Sequence, residues 1–249
     1  MDWRTIYIIC LRDLIRYFRQ RSQLYGSLFR PVLWLLILGM GLRPSFKAVE
    51  GFNYTQFIFP GIIAMSLLFT SIQSAISIIW DREFGFLKEI LVAPVPRTAI
   101  AFGKAFAGST LAVIQGTIIL IFAPLVKVPL AWHSVFILIP AMFLISFALV
   151  GIGIIIASRM TSFEGFGTFM NFLVMPMFFL SGAMFPVSGI PVWLKAIVMI
   201  NPLSYGVDLL RKIVLGISTF SPVFDIGFLL LFGLAAVFLA VLLFSRSES

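Results

Sequence analysis

The chain alternates long apolar runs with short charged segments. Residues 57–80, 105–126, 135–158, 166–187 and 226–245 contain no Asp, Glu, Lys, Arg or His. Each is about the length that a helix needs to cross the hydrocarbon of a bilayer, roughly 20 residues. A sixth run, 26–42, carries Arg30. A central arginine costs about 2.5–3.5 kcal/mol on insertion scales, but Arg30 falls near the start of its run, where a long stem can reach the headgroups. The pattern predicts an all-α membrane protein with six transmembrane helices in one domain over 1–249. Closed β-barrels are the other way to span a membrane, but they are built from short alternating strands, which these unbroken runs exclude.

Composition agrees. Hydrophobic residues make up 61% of the chain and charged residues 11%, with a mean hydropathy of +1.10. Soluble domains stand near 45–50% and 25%. The net charge of +8 lies mostly beside the runs. With six spans, eleven Lys and Arg fall on the side of the two termini and six on the other. The positive-inside rule then places both termini in the cytoplasm, with basic groups facing anionic lipid. No basic stripe is interleaved with exposed aromatics, so nucleic acid is not an expected partner. The first apolar run begins about two dozen residues in and lacks a small-residue cleavage site, so no cleavable signal peptide is expected. Cys10 is the single cysteine and leaves no disulfide within the chain.

The segments between the runs are more specific. Residues 1–23 read as an amphipathic helix lying in the membrane interface, with Arg4, Arg12 and Arg16 on one face and Trp3, Tyr7, Cys10, Leu14 and Phe18 on another. The loop 81–97 opens at Asp81, a candidate cap for a short helix running to about Val92. The Ala93-Pro94-Val95-Pro96 run must end that helix. Its apolar residues Phe84, Phe86, Leu87, Ile90 and Leu91 need a partner surface of lipid or protein. The connection before the last span, 188–222, is long. It holds a short apolar helix at 192–200, then Asn201-Pro202, which signals a turn opening a helix with proline in its first position. Tyr205, Asp208 and Arg211 follow at three-residue steps and can share a face. Polar groups at membrane depth need internal partners, which predicts an outer re-entrant hairpin.

These segments resemble the ABC-2 family of membrane subunits of ATP-binding-cassette exporters. The stretch Phe84 to Arg97 resembles that family's first cytoplasmic loop, Phe179 to Pro186 the end of its fifth helix, and Asn201-Pro202-Leu203-Ser204-Tyr205 through Asp208 and Arg211 its late signature. The resemblance implies a permease in a bacterial-type inner membrane that pairs with a second copy or a related permease. It also implies two docked cytoplasmic ATPase subunits, which hold the ATP and Mg, with no cofactor in this chain. Residues 1–23 become a connecting helix. Within 81–97 lies a coupling helix, with Glu83, Phe84, Leu87, Lys88, Glu89, Leu91 and Arg97 as contact candidates and Pro94 and Pro96 fixing its exit. The cargo path falls at the seam of the pair, lined by the second and fifth helices. Asn171, Met175, Pro176, Phe178 and Phe179 are its candidates, an adaptable Met/Phe lining suited to an amphiphilic drug, lipid or glycan.

Other chemistry finds little support. Gly103 to Thr110 comes near a phosphate-binding loop, but its lysine, Lys104, precedes the second glycine, so the small residues, with Gly151 and Gly153, read as helix-packing contacts. His133 is the single histidine, and with Cys10 it is too little for a metal site of the usual kind. No carboxylate falls mid-span, which argues against a proton relay. A secondary transporter or channel is expected to show intramembrane charge or inverted repeats. A membrane scaffold gives no reason for the Pro-ended loop.

Overall fold

The computed structural model describes residues 3–41, 51–85, 96–160 and 162–246. Ten helices and no strand lie among them. They are α1 (Trp3–Arg19), α2 (Arg21–Gly41), α3 (Tyr54–Ser74), α4 (Ile76–Glu83), α5 (Arg97–Leu120), α6 (Trp132–Arg159), α7 (Phe163–Phe179), α8 (Val192–Ile200), α9 (Pro202–Leu215) and α10 (Pro222–Arg246).

Helix α3 is buried along nearly its whole length. From Tyr54 to Ile72 almost every residue is inside the bundle, packed against α2, α5, α6 and α9. Its start is fixed locally, because the Gln56 side chain accepts the Asn53 N–H at 3.0 Å and donates to the Lys127 carbonyl at 2.6 Å. A single irregular residue, Ala75, separates α3 from α4, and the two read as one apolar helix of 30 residues, Tyr54–Glu83. The helix ends where Gly85 turns to φ +75° and its N–H bonds the Arg82 carbonyl at 3.1 Å. Glycine occupies that left-handed position without a Cβ penalty.

Four helices among the described residues are long and apolar enough to cross a membrane: Tyr54–Glu83, Arg97–Leu120, Trp132–Arg159 and Pro222–Leu243. The apolar helices Tyr25–Gly39 and Phe163–Phe179 are shorter. The expected fifth run, 166–187, is therefore cut at Phe179, where turns take over and Gly182 adopts φ +74°. The expected third run, 105–126, starts earlier, at Arg97, and stops at Leu120, before the turns that contain Pro124.

The small residues pack helices as expected. A Cβ added at Gly151 would come within 2.7 Å of the Ala236 methyl, and one at Gly153 within 2.9 Å of the Ile72 carbonyl oxygen. Without a hydrophobic force between helices in lipid, such close backbone approach supplies the packing. Gly103 does the same for α1, since a Cβ there would meet Ile9 at 2.9 Å.

Helix α1 packs on the bundle through a different face from the one that carries its largest apolar residues. Its large apolar residues Trp3, Tyr7, Ile8, Leu11, Ile15 and Phe18 point outward. Its inner face, against α5, carries Ile6, Ile9, Asp13 and Tyr17. Arg4 stays exposed, while Arg12 and Arg16 turn toward α4. The arginine face is thus not a solvated one, because Asp81 on α4 draws it inward.

Candidate functional site

The feature that best distinguishes this bundle is a buried charge cluster where α1, α4 and α5 meet. Asp81 was expected to cap a loop helix. Instead it sits inside α4, 4% exposed. Lys104, expected to flank a span, lies in the second turn of α5 and is equally buried. Lys104 Nζ reaches Asp81 Oδ2 at 2.7 Å and Asp13 Oδ2 at 2.8 Å, and donates to Ser77 Oγ at 3.0 Å. Arg12 bridges the same two carboxylates, at 2.6 Å to Asp81 and 3.0 Å to Asp13. Arg16 reaches Asp81 Oδ1 at 3.2 Å and lays its guanidinium over the Trp80 ring, 5.3 Å from its centre.

Three cations face two carboxylates, so neither acid is left uncompensated. Burial pushes the Asp13 carboxyl up, but Lys104 and then Arg12 more than reverse this and hold it below the ordinary value. The same carboxylates raise the Arg12 guanidinium against the lowering effect of its own burial. A lowered carboxyl stabilises the fold above its unfolded value of about 3.9 and loses that contribution as pH falls through the folded value. We therefore expect the protection of α1 amides, relative to the intrinsic exchange rate at each pH, to fall as pH drops below about 4, while that of α6 is retained.

The neighbours of the cluster brace the end of α4 from its other sides. Arg82 donates to the carbonyls of Met160 at 2.6 Å and Ser158 at 3.1 Å, closing the C-terminus of α6 with a cation, which its dipole favours. Trp80 packs on Phe163 of α7 and stacks on Phe84. Asp81 precedes and Lys104 follows the segment expected to couple, so one cluster holds both of its ends to α1.

Of the coupling candidates, Glu83, Phe84 and Pro96 are exposed at these ends and Arg97 opens α5 half-buried. Leu87, Lys88, Glu89, Leu91 and Pro94 lie outside the described residues, as does the Val92 limit of the expected loop helix.

The late signature lies at the other end of the α3–α4 helix. Asn201 caps α9 by accepting the Leu203 N–H at 3.0 Å, with Pro202 next, as expected. Its amide also donates to the Met177 carbonyl at 2.6 Å. Tyr205 donates to the Met199 carbonyl at 2.7 Å and stacks on Phe228. Asp208 accepts the N–H groups of Thr219 at 2.8 Å and Phe220 at 2.9 Å. Arg211 donates to the Gly182 carbonyl at 2.9 Å and lies over the Phe57 ring. These side chains share one helix but serve separate partners, tying α7, α8, α10 and the turn at Gly182 together. They brace the fold and do not converge on a ligand.

The cargo-path candidates are not gathered either. Asn171, Pro176 and Phe179 are exposed on α7, Met175 is half-buried, and Phe178 is buried with its edge toward Trp34 of α2.

A polar group missed from the sequence lies between the clusters. Gln115 of α5 is buried, its amide donates to Tyr17 and Ser27, and Thr70 donates to its carbonyl. A lone amide in an uncharged run needs internal partners, and that signal was available. Asp225 was also missed. It is fully buried in the first turn of α10.

Arg30 has an aromatic neighbour that local sequence did not show. Helix α2 begins at Arg21, and the Arg30 guanidinium lies over the Phe69 ring, 4.5 Å from its centre. Phe69 is midway between Phe57, which meets Arg211, and Asp81, so it is about 18 Å from either along the helix axis. The Arg30 guanidinium therefore lies level with the middle of the α3–α4 helix.

The ABC-2 type transporter family matches residues 4–215. The chain belongs to that family. It is 29% identical over 212 residues to the transport permease ycf38 of Cyanophora paradoxa, covering 84% of this chain and 73% of the relative. It is 31% identical over 220 residues to ycf38 of Porphyra purpurea, covering 84% and 74%. Against Nodulation protein J of Rhizobium leguminosarum bv. viciae it is 27% identical over 232 residues, covering 92% and 87%. This ABC-2 permease is thus a multi-pass membrane transport protein, and the charge cluster lies within the matched region.

Proposed function

We propose that this ABC-2 permease is the membrane half of an ATP-driven exporter, paired with a second permease and docked on two cytoplasmic ATPase subunits. In this reading the chain spans the membrane six times, with α2 and α7 completing the four longer helices. Both termini are cytoplasmic, and α8–α9 form the outer re-entrant hairpin. The polar brace around Arg211 and the charge cluster around Asp81 are roughly 36 Å apart along the helix axis, which brackets a hydrocarbon core of about 30 Å.

One observation carries the reading: Lys104, Asp81, Asp13 and the two arginines clamp α1 to both ends of the 84–96 segment. A loop that only linked two spans has no use for a buried cluster of five charges. Buried ion groups are costly to assemble, and their best-attested use is to fix a register. A loop pushed by an ATPase needs such a frame, so that displacement reaches the spans and is not absorbed as bending. Helix α1, the α4 end and the start of α5 then move as one lever when ATP closes the ATPase pair.

The cargo is an amphiphile, a drug, lipid or glycan conjugate, following the apolar and Met-rich faces of α7. Affinity purification of the chain from membranes that also contain its ATPase tests the assignment. The ATPase is expected to co-purify in near-equal amount. Recovery of the permease alone, with transport intact, contradicts the proposal.

A further inference from the structure

In the six-span reading Arg30 stands at mid-depth with its side chain exposed on the bundle, whereas the buried cations Lys104 and Arg211 are ion-paired or bonded to a backbone carbonyl. Among the described residues it forms no ion pair. An arginine at such depth is a functional residue by default, and it normally faces a partner or a wet cavity. Here it faces a cavity. Ser27, Arg30, Ser66, Phe69, Thr70 and Gln73 line a cleft of about 150 Å³ between α2 and α3. Ser66 is 3% exposed, and its hydroxyl has no hydrogen-bond partner among the described residues. A buried hydroxyl left without a partner on the wall of a cleft that also holds an unpaired guanidinium marks a place for an acceptor oxygen.

The cleft is not isolated. Gln73 and Ser27 also line a small void beside Gln115 and Tyr17. Gln73 lines a third cavity too, of about 210 Å³, bounded by Arg16 and Lys104 at the charge clamp. Polar side chains therefore continue from the clamp to Arg30, with no acid beyond Asp13 and Asp81 along this track.

Resting on the transport reading above, we propose that the cleft at Arg30 binds the anionic group, a phosphate or carboxylate, of the amphiphilic cargo. Guanidinium matches such oxygens in a fork, and Ser66 supplies a further donor. The cleft is too small for a whole drug-sized ligand, which needs about 300 Å³ or more. It takes a headgroup and leaves the tail in lipid.

Binding is measured on the full chain in phosphatidylcholine nanodiscs by native mass spectrometry, with no ATPase present. The probes are dodecyl phosphate, inorganic phosphate and neutral dodecyl maltoside. Saturable binding of dodecyl phosphate is expected, weakened at least tenfold in Arg30→Gln, several-fold in Ser66→Ala, and by an intermediate amount in Arg30→Lys, which keeps the charge and loses the fork. Competition by inorganic phosphate identifies a site for the free anion, and its failure to compete identifies a headgroup site. Equal binding by Arg30→Gln, or equal binding of dodecyl maltoside at the same site, overturns the proposal. Because Arg30→Gln removes a charge from a span, insertion is retained. Arg30→Lys separates charge from shape. Normal anion binding with no ATP-driven transport of any cargo would sink the transport reading alone.

Discussion

Lys104→Met is expected to destabilise the permease by about 3–5 kcal/mol, the range for breaking a buried ion pair from one side. The methionine fills a similar volume, so packing changes little. The loss is electrostatic. Asp13 and Asp81, 7% and 4% exposed, keep only the arginines of α1 as cationic partners. Both carboxylates then lose their best-buried cation. Thermal unfolding followed by tryptophan fluorescence should show a midpoint lower by on the order of 10 °C. Protease cleavage near α1 should rise first, because the rest of the bundle is held by apolar contacts. Lys104→Met combined with Asp13→Leu is expected to recover much of the loss, since removing a buried charge together with its partner is often nearly neutral. A single variant as stable as the unchanged chain would show that the cluster is not a clamp.

The second large effect falls on association. Leu91→Asp and Glu89→Arg should each abolish recovery of the ATPase with the purified permease, while insertion and the unfolding midpoint stay unchanged. Both residues belong to the 84–96 segment, between the two arms of the clamp. An aspartate in place of Leu91 puts a charge into an apolar contact that must be desolvated on docking. Glu89→Arg reverses a charge, and like-charge juxtaposition across an interface costs several kcal/mol. Truncation at exposed Phe84 should matter less, because that ring already stacks on Trp80 of its own chain. Full association by both variants would remove the coupling assignment and leave the clamp without its proposed load.

Much of the fold was legible because hydropathy over about 20 residues reports helix and depth together. The Asn201-Pro202 start of α9 was legible for a local reason: a capping side chain and a proline in the first turn are decided within a few residues. The packing roles of Gly103, Gly151 and Gly153 were legible from small size alone. What could not be read was direction. Asp81 and Lys104 looked like span-flanking charges, since the sequence neighbours of each are ordinary. Only the approach of α1 over Gly103 turns them into one buried group. The surroundings of Arg30 were hidden for the same reason, since they depend on where α2 starts and on Phe69 of another helix, neither of which local hydropathy contains. The Arg211 brace shows the converse, because the three-residue spacing set Tyr205, Asp208 and Arg211 on one helix but said nothing of the separate partners along it.

The lever itself can be measured directly. Spin labels at exposed Leu11 of α1, Glu83 of α4 and Leu231 of α10, in a Cys10→Ser background, report pairwise distances in the reconstituted complex before and after trapping the ATPase with ATP and vanadate. The account predicts that the Leu11–Glu83 distance stays fixed while both residues shift relative to Leu231. A Leu11–Glu83 distance that changes on trapping, with the Glu83–Leu231 distance constant, would contradict it.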